Sequence, residues 1–188
     1  RYKIPTVVHV LYNPKISPDM RTSQARIESQ IKVLNQDFTL TNPDKDNIPT
    51  AFKNLAANFG IQFELIDIKY QETDEESWCG NDEFVDISVC NRIKFSSEGG
   101  SDSIDPETTL NIWIGQLYFV PTVGVLYGFA SYPGGPLRAD GVAIDWRTVG
   151  NIQDKPSNEN WPAFIPTTRG RILTHELGHF FNLRHIWG

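Results

Sequence analysis

The sequence predicts an α/β (α+β) domain in which a sheet of about five strands is backed by one helix and followed by a second helix near the C-terminus. Three observations predict it. Short runs rich in β-branched and aromatic residues recur between Pro and Gly punctuation, one segment has helical apolar spacing, and His and Glu near the end fall at helical intervals. With 188 residues, 39% of them hydrophobic and 12% aromatic, the chain is long enough for a core of its own and too apolar to be disordered.

Ile4 to Tyr12 (IPTVVHVLY) is short, β-branched and bounded by Pro5 and Pro14, and reads as a buried strand. His9 lies inside it, and with nothing nearby at metal-ligand spacing it reads as a core residue. From Ser23 the period changes. Ile27, Ile31, Leu34 and Phe38 form one stripe of an amphipathic helix with Ser23 as N-cap. Ile61 to Tyr70 (IQFELIDIKY) alternates at Ile61, Phe63 and Leu65 and then slips to Ile66 and Ile68, which predicts a strand with a bulge or with both faces covered, paired with the first strand.

Residues 71–109 are polar, acidic and rich in Ser, Gly and Asp, with apolar content only from Phe84 to Val89, and read as a long surface insertion with a solvated charged face. Within it, Cys79 and Cys90 are close enough to bridge in an oxidising compartment. Two free thiols, or bridges to cysteines outside this segment, are the alternatives; we favour the oxidised pair. Leu110 to Ile114 (LNIWI), Val125 to Tyr132 (VLYGFASY) and Gly141 to Trp146 (GVAIDW) supply three further strands. Pro162 and Pro166 precede Thr167 and Thr168, which read as the cap of a helix running through Arg171, Ile172 and Leu173 to Phe181.

A net charge of -6 lacks the basic footprint that attracts nucleic acid or anionic lipid, so neither is an expected partner. No membrane span is expected either. The longest candidate, Leu110 to Tyr132, is interrupted by Gly115, Pro121, Gly124 and Gly128, short of the ~18 consecutive apolar residues a span requires. Arg1 opens the chain without an initiator Met or an apolar leader, which reads as a processed or trimmed segment.

The chemistry sits on the last helix. His175-Glu176-Leu177-Gly178-His179 is an HExxH sequence, whose two imidazoles project from one helical face about 6 Å apart along the axis and can reach one ion. Zinc takes His nitrogens at about 2.0–2.1 Å, and a catalytic site provides three protein ligands with a fourth position for water. His185 is the candidate third ligand. On a continued helix it would lie about 15 Å further along and about 80° away, so the helix must break, and Asn182 is the residue suited to the left-handed turn that returns His185 to the ion. Glu176, rotated about 100° from His175, lies beside the metal and is the candidate general base, then acid.

The run HELGHFFNLRH resembles the HExxHxxGxxH signature of the metzincin metallopeptidases, with Asn182 in place of the glycine. Among metzincins the chain is most similar to the pappalysin family, including ulilysin-like and cytophagalysin-like secreted bacterial peptidases. The segments that carry this are IPTVVHVLY, LNIWIG, GFASYP, DGVAIDW and THELGHFFNLRHIWG, in order. They cover most of the chain, and none falls between Gln71 and Thr109.

The resemblance implies a zinc endopeptidase, secreted or extracellular, with residues 1–188 forming a metzincin-type N-terminal subdomain that carries a mixed, twisted sheet up to the third zinc ligand. It implies polypeptide substrates bound as an added antiparallel strand along Gly128, Phe129, Ala130, Ser131 and Tyr132, an edge that Pro133, Gly134 and Gly135 end. An internal strand followed by a tight turn is the plain alternative for that segment. The family's Met-containing turn and its oxyanion-stabilising Tyr lie downstream of the third His, whereas the one methionine here is Met20, so a C-terminal segment is expected in the full protein. Calcium is a further expectation of the resemblance, with no ligands among these residues.

Two rivals remain at this level. One is a non-catalytic, zinc-stabilised peptide-binding module or an inactive trimmed fragment of such a peptidase. The other is a gluzincin-type enzyme, whose third ligand would be a Glu on a later helix instead of His185.

Overall fold

The computed structural model describes residues 2–80, 87–120, 124–161 and 169–185. In chain order these contain β1 (Tyr2–Tyr12), α1 (Gln24–Phe38), β2 (Ile61–Glu72), a single helical turn α2 (Ile87–Cys90), β3 (Leu110–Gly115), β4 (Tyr118–Val120), β5 (Gly124–Leu126), β6 (Gly128–Ala130), β7 (Val142–Asp145) and α3 (Arg171–Phe180). The main sheet is five-stranded and mixed, in the order β2-β1-β3-β7-β6. Its neighbours run parallel except at one end, where β6 lies antiparallel to β7 as an edge strand.

The break in alternation along β2 is a bulge. Thr6 of β1 faces Leu65 and Val7 faces Asp67, so Ile66 is the extra residue, and its side chain is exposed. Val125 to Tyr132, expected as one strand, is instead two. β5 pairs antiparallel with β4 in a separate two-stranded ribbon, and β6 joins the main sheet. Side-chain composition reports that a segment favours extended backbone, not which partner it pairs with, so this corner was invisible in the sequence.

Both faces of the sheet are covered. On one, Ile27, Ile31 and Leu34 of α1 and Leu173 and Leu177 of α3 pack over Val8, Ile112 and Ile144. Ser23 caps α1, its Oγ accepting from the Arg26 N–H at 3.3 Å. On the opposite face Trp78, Cys79, Cys90 and Ile93 pack against Leu11, Trp113, Phe129 and Ala143. Four residues of the 71–109 stretch thus form a packing layer, while most of its other described residues are exposed or half-buried. A few apolar residues widely spaced in a polar stretch show no periodicity, yet the Cys79–Cys90 disulfide gathers them. Closing a loop of that size restricts the unfolded chain and stabilises the fold by roughly 3 kcal/mol.

His9 is a satisfied core residue. It is buried, its Nδ1 lies 2.9 Å from Ser101 Oγ and its Nε2 3.0 Å from Asn111 Oδ1, and its ring stacks on Trp113. Burial lowers its pKa and so favours the neutral ring. Among the described residues no helix is long and apolar enough to cross a membrane.

Candidate metal centre

α3 is anchored at its start by residues from distant parts of the chain. Its N-cap is Gly170, at φ +73°, and Thr167 and Thr168, the cap expected from the sequence, lie outside the described residues. Gln30 of α1 ties that start to the preceding chain, donating from Nε2 to Gly170 O at 2.8 Å and accepting the Gly150 N–H at Oε1 at 2.9 Å. Arg171 donates to Asp44 Oδ1 at 2.6 Å and Asp37 Oδ1 at 3.1 Å, and Thr174 Oγ1 donates to Asp37 Oδ2 at 2.8 Å. The Arg171 guanidinium holds the Asp44 carboxyl well below the usual carboxylate range. Sequence reasoning missed this anchor because its acidic members lie on and just after α1, far from the motif.

Helical periodicity then separates two faces. Leu173 and Leu177, one turn apart, are buried in the core, whereas His175 and His179 remain accessible. Full burial of a Leu side chain contributes about 1.5–3 kcal/mol, so the core contacts fix the rotation of the helix and hence the direction of the imidazoles.

The helix ends where the sequence predicts. Asn182 sits at φ +69°, in the left-handed region. The Asn182 N–H donates to His179 O at 2.8 Å and the Leu183 N–H donates to Gly178 O at 2.8 Å, the paired bonds of a Schellman cap. The chain reverses there and carries His185 back to the first two histidines. Glycine adopts this conformation without the penalty of about 1–2 kcal/mol that a Cβ incurs, most of all a β-branched one. Asn182→Val is therefore expected to lower stability by about that amount and to weaken metal uptake, while Asn182→Gly preserves both; thermal unfolding with and without added zinc measures the two effects.

Three imidazole nitrogens converge as a result. The Nε2 atoms of His175 and His185 are 3.0 Å apart, those of His179 and His185 3.1 Å, and those of His175 and His179 3.2 Å. Among the described residues this trio is the cluster of ligand-type side chains gathered within reach of one ion. Tetrahedral nitrogen ligands at 2.0–2.1 Å from a common ion lie about 3.3–3.4 Å from one another, so the triangle fits three corners of such a site. The tautomer fits as well. His179 Nδ1 lies 2.8 Å from Leu183 O, which can only accept, so in the neutral ring Nδ1 carries the proton and Nε2 offers its lone pair towards the other two rings. Partial burial, and after it the neighbouring His179 and His185, lower the pKa of His175 and favour its neutral, ligating form.

Glu176 lies beside this triangle and is 7% exposed. Burial pushes its carboxyl up to about 7, with His179 opposing the shift. It packs directly on β6. A Cβ added at Gly128 would come within 2.7 Å of Glu176 Cγ, so glycine there permits the close approach of strand and helix. Along β6, Tyr127 O accepts from the Asp145 N–H at 2.8 Å and the Ser131 N–H donates to Gly141 O at 3.0 Å. Odd-numbered residues thus bond β7, and the main-chain groups of Gly128 and Ala130 point to the open edge. Phe129 is buried behind the sheet, and the Tyr132 ring lies 5.9 Å from that of His179. The five residues singled out as a peptide edge are therefore split between Gly128 and Ala130, whose outward main chain pairs with no further strand among the described residues, the inward anchors Phe129 and Ser131, and an exposed aromatic beside the histidines.

No protein-family model matches the chain, and no curated protein matches it. Solved structures do. Mature mirolysin from Tannerella forsythia, in complex with a cleaved peptide, is similar over 100% of this chain at 35% identity and a TM-score of 0.80. The likeness fits the pappalysin-type metzincin metallopeptidases that the sequence resembles. Mirolysin in complex with a small compound is similar at 35% identity and a TM-score of 0.78, and a glutamate-to-alanine mutant of T. forsythia promirolysin at 34% and 0.80. The chain spans 65% of the mature mirolysin chain and 57% of the promirolysin chain.

Proposed function

We propose that the complete protein is a secreted, zinc-dependent endopeptidase in which His175, His179 and His185 hold the metal and Glu176 is the general base. The observation that carries this is the triangle of Nε2 atoms 3.0–3.2 Å apart, with Glu176 set between its first two members on α3 and the free edge of β6 alongside. The chemistry that zinc supplies at such a site is a water acidic enough to deprotonate near neutral pH and a polarised scissile carbonyl.

This chain's own residues perform the rest. The Glu176 carboxylate takes the proton of the attacking water and delivers it to the amide nitrogen as the C–N bond breaks. The substrate lies extended and antiparallel to β6, exchanging main-chain hydrogen bonds with Gly128 and Ala130, which favours an unfolded or loop segment over a helical one. The cleaved peptide held by mirolysin supports a polypeptide substrate, and the Cys79–Cys90 disulfide supports an oxidising, extracellular setting. The remainder of the substrate cleft is assigned to a C-terminal segment, as is calcium, for which no ligand here is named.

The test is metal analysis joined to activity. The complete protein is expected to carry about one zinc per chain, to stop cleaving an unfolded protein when the metal is chelated, and to resume when zinc is restored. Cleavage by metal-free protein, or a zinc-loaded protein that cleaves nothing, overturns the proposal.

A further inference from the structure

Lys94 is fully buried, and the proposed chemistry has no use for it. Its Nζ donates to Ser131 Oγ at 2.9 Å, to Ala139 O at 2.7 Å and, at a longer 3.5 Å, to Gly141 O. It also lies 5.3 Å from the centre of the Trp113 ring and 5.1 Å from that of Phe129. These partners are not scattered. Ser131 directly follows β6, Gly141 directly precedes β7, and Ala139 lies in the connection between them. Ser131 Oγ donates in turn to Ala139 O at 2.6 Å, so one ammonium closes a small network across both ends of the β6–β7 connection.

Burial drags the lysine pKa down to about 7, with only Asp140 opposing. An apolar side chain of similar volume would fill the same space without that desolvation, so packing alone does not account for an ammonium here. What the ammonium adds is direction, since its donors fix three oxygens relative to one another. The turn that bears it, Asn91–Lys94, follows Cys90 of the disulfide directly, and Ile93 O accepts the Ser101 N–H at 3.0 Å. The group is thus held from the packing layer behind the sheet. β6 is confined between that layer, which Phe129 enters, and Glu176, which lies on Gly128.

We propose that Lys94 is a positioning residue for the peptide-binding edge, setting the path of β6 and of residues 131–141 from behind the sheet. The proposal rests on the assignment of β6 as the edge that binds substrate. Its consequence is that Lys94 acts on the docking of peptide and hardly at all on the metal or the bond-breaking step.

The experiment is steady-state hydrolysis of an unstructured peptide by the complete, zinc-loaded protein, comparing wild type with Lys94→Met and Lys94→Gln and measuring zinc content in each. Lys94→Met, which keeps volume and loses every donor, is expected to raise KM about tenfold or more, with kcat within about threefold and zinc content unchanged. Lys94→Gln, which retains a shorter donor, is expected to fall between them. A folded, zinc-loaded Lys94→Met with unchanged KM overturns the proposal, as does a fall in kcat alone. Loss of fold or zinc in both variants also overturns it, because Lys94 would then support the whole domain. A wild type that cleaves nothing sinks the peptidase assignment itself, an outcome distinct from an active wild type whose KM ignores Lys94.

Discussion

Glu176→Ala in the complete protein is expected to bind zinc as the wild type does and to hydrolyse peptide about 10²–10⁴-fold more slowly, the usual contribution of a positioned general base. The three Nε2 atoms that converge come from histidines alone, so removing the carboxylate leaves the donor set intact. Folding stability is not expected to fall. The Glu176 carboxyl is buried, which raises its pKa, and its removal relieves that unfavourable burial above Gly128. Zinc stoichiometry, thermal midpoint and turnover measured on the same preparation separate these effects. Undiminished turnover would remove Glu176 from the mechanism.

His185→Ala has the larger effect on the metal. Loss of a residue that merely orients a ligand already reduces affinity about 10–100-fold, so loss of one of three ligands is expected to reduce zinc affinity by more than about 100-fold. The fold should persist, because the chain reversal at Asn182 is made by backbone bonds to His179 O and Gly178 O and does not depend on the imidazole. Competition with a chelator of known affinity gives the number. A variant that keeps wild-type affinity would mean that the third ligand lies elsewhere, as the gluzincin alternative requires.

Much of the fold was legible because its signals are local. The stripe Ile27, Ile31, Leu34 and Phe38 and the cap at Ser23 describe α1 as it stands, and the slip at Ile66 announces the bulge in β2. The division of Val125 to Tyr132 was not legible, since β5 and β6 have similar compositions and differ only in their partners. Nor was the role of residues 71–109. Trp78, Ile93 and Lys94 are sparse in a polar stretch, and it takes the sheet they cover and the Cys79–Cys90 disulfide to make a layer of them.

The candidate site divides in the same way. Spacing alone required that His175 and His179 share a helical face and that a left-handed residue stand between His179 and His185, because the geometry of an α-helix and the steric limits on φ apply wherever the residues occur. Tertiary structure alone decided what surrounds them. The grip of Asp37 and Asp44 on Arg171, the contact of Glu176 with Gly128, and the ammonium of Lys94 behind the edge strand all join residues distant in the chain. Such contacts depend on which faces meet when apolar surface leaves water, and no local pattern records that choice.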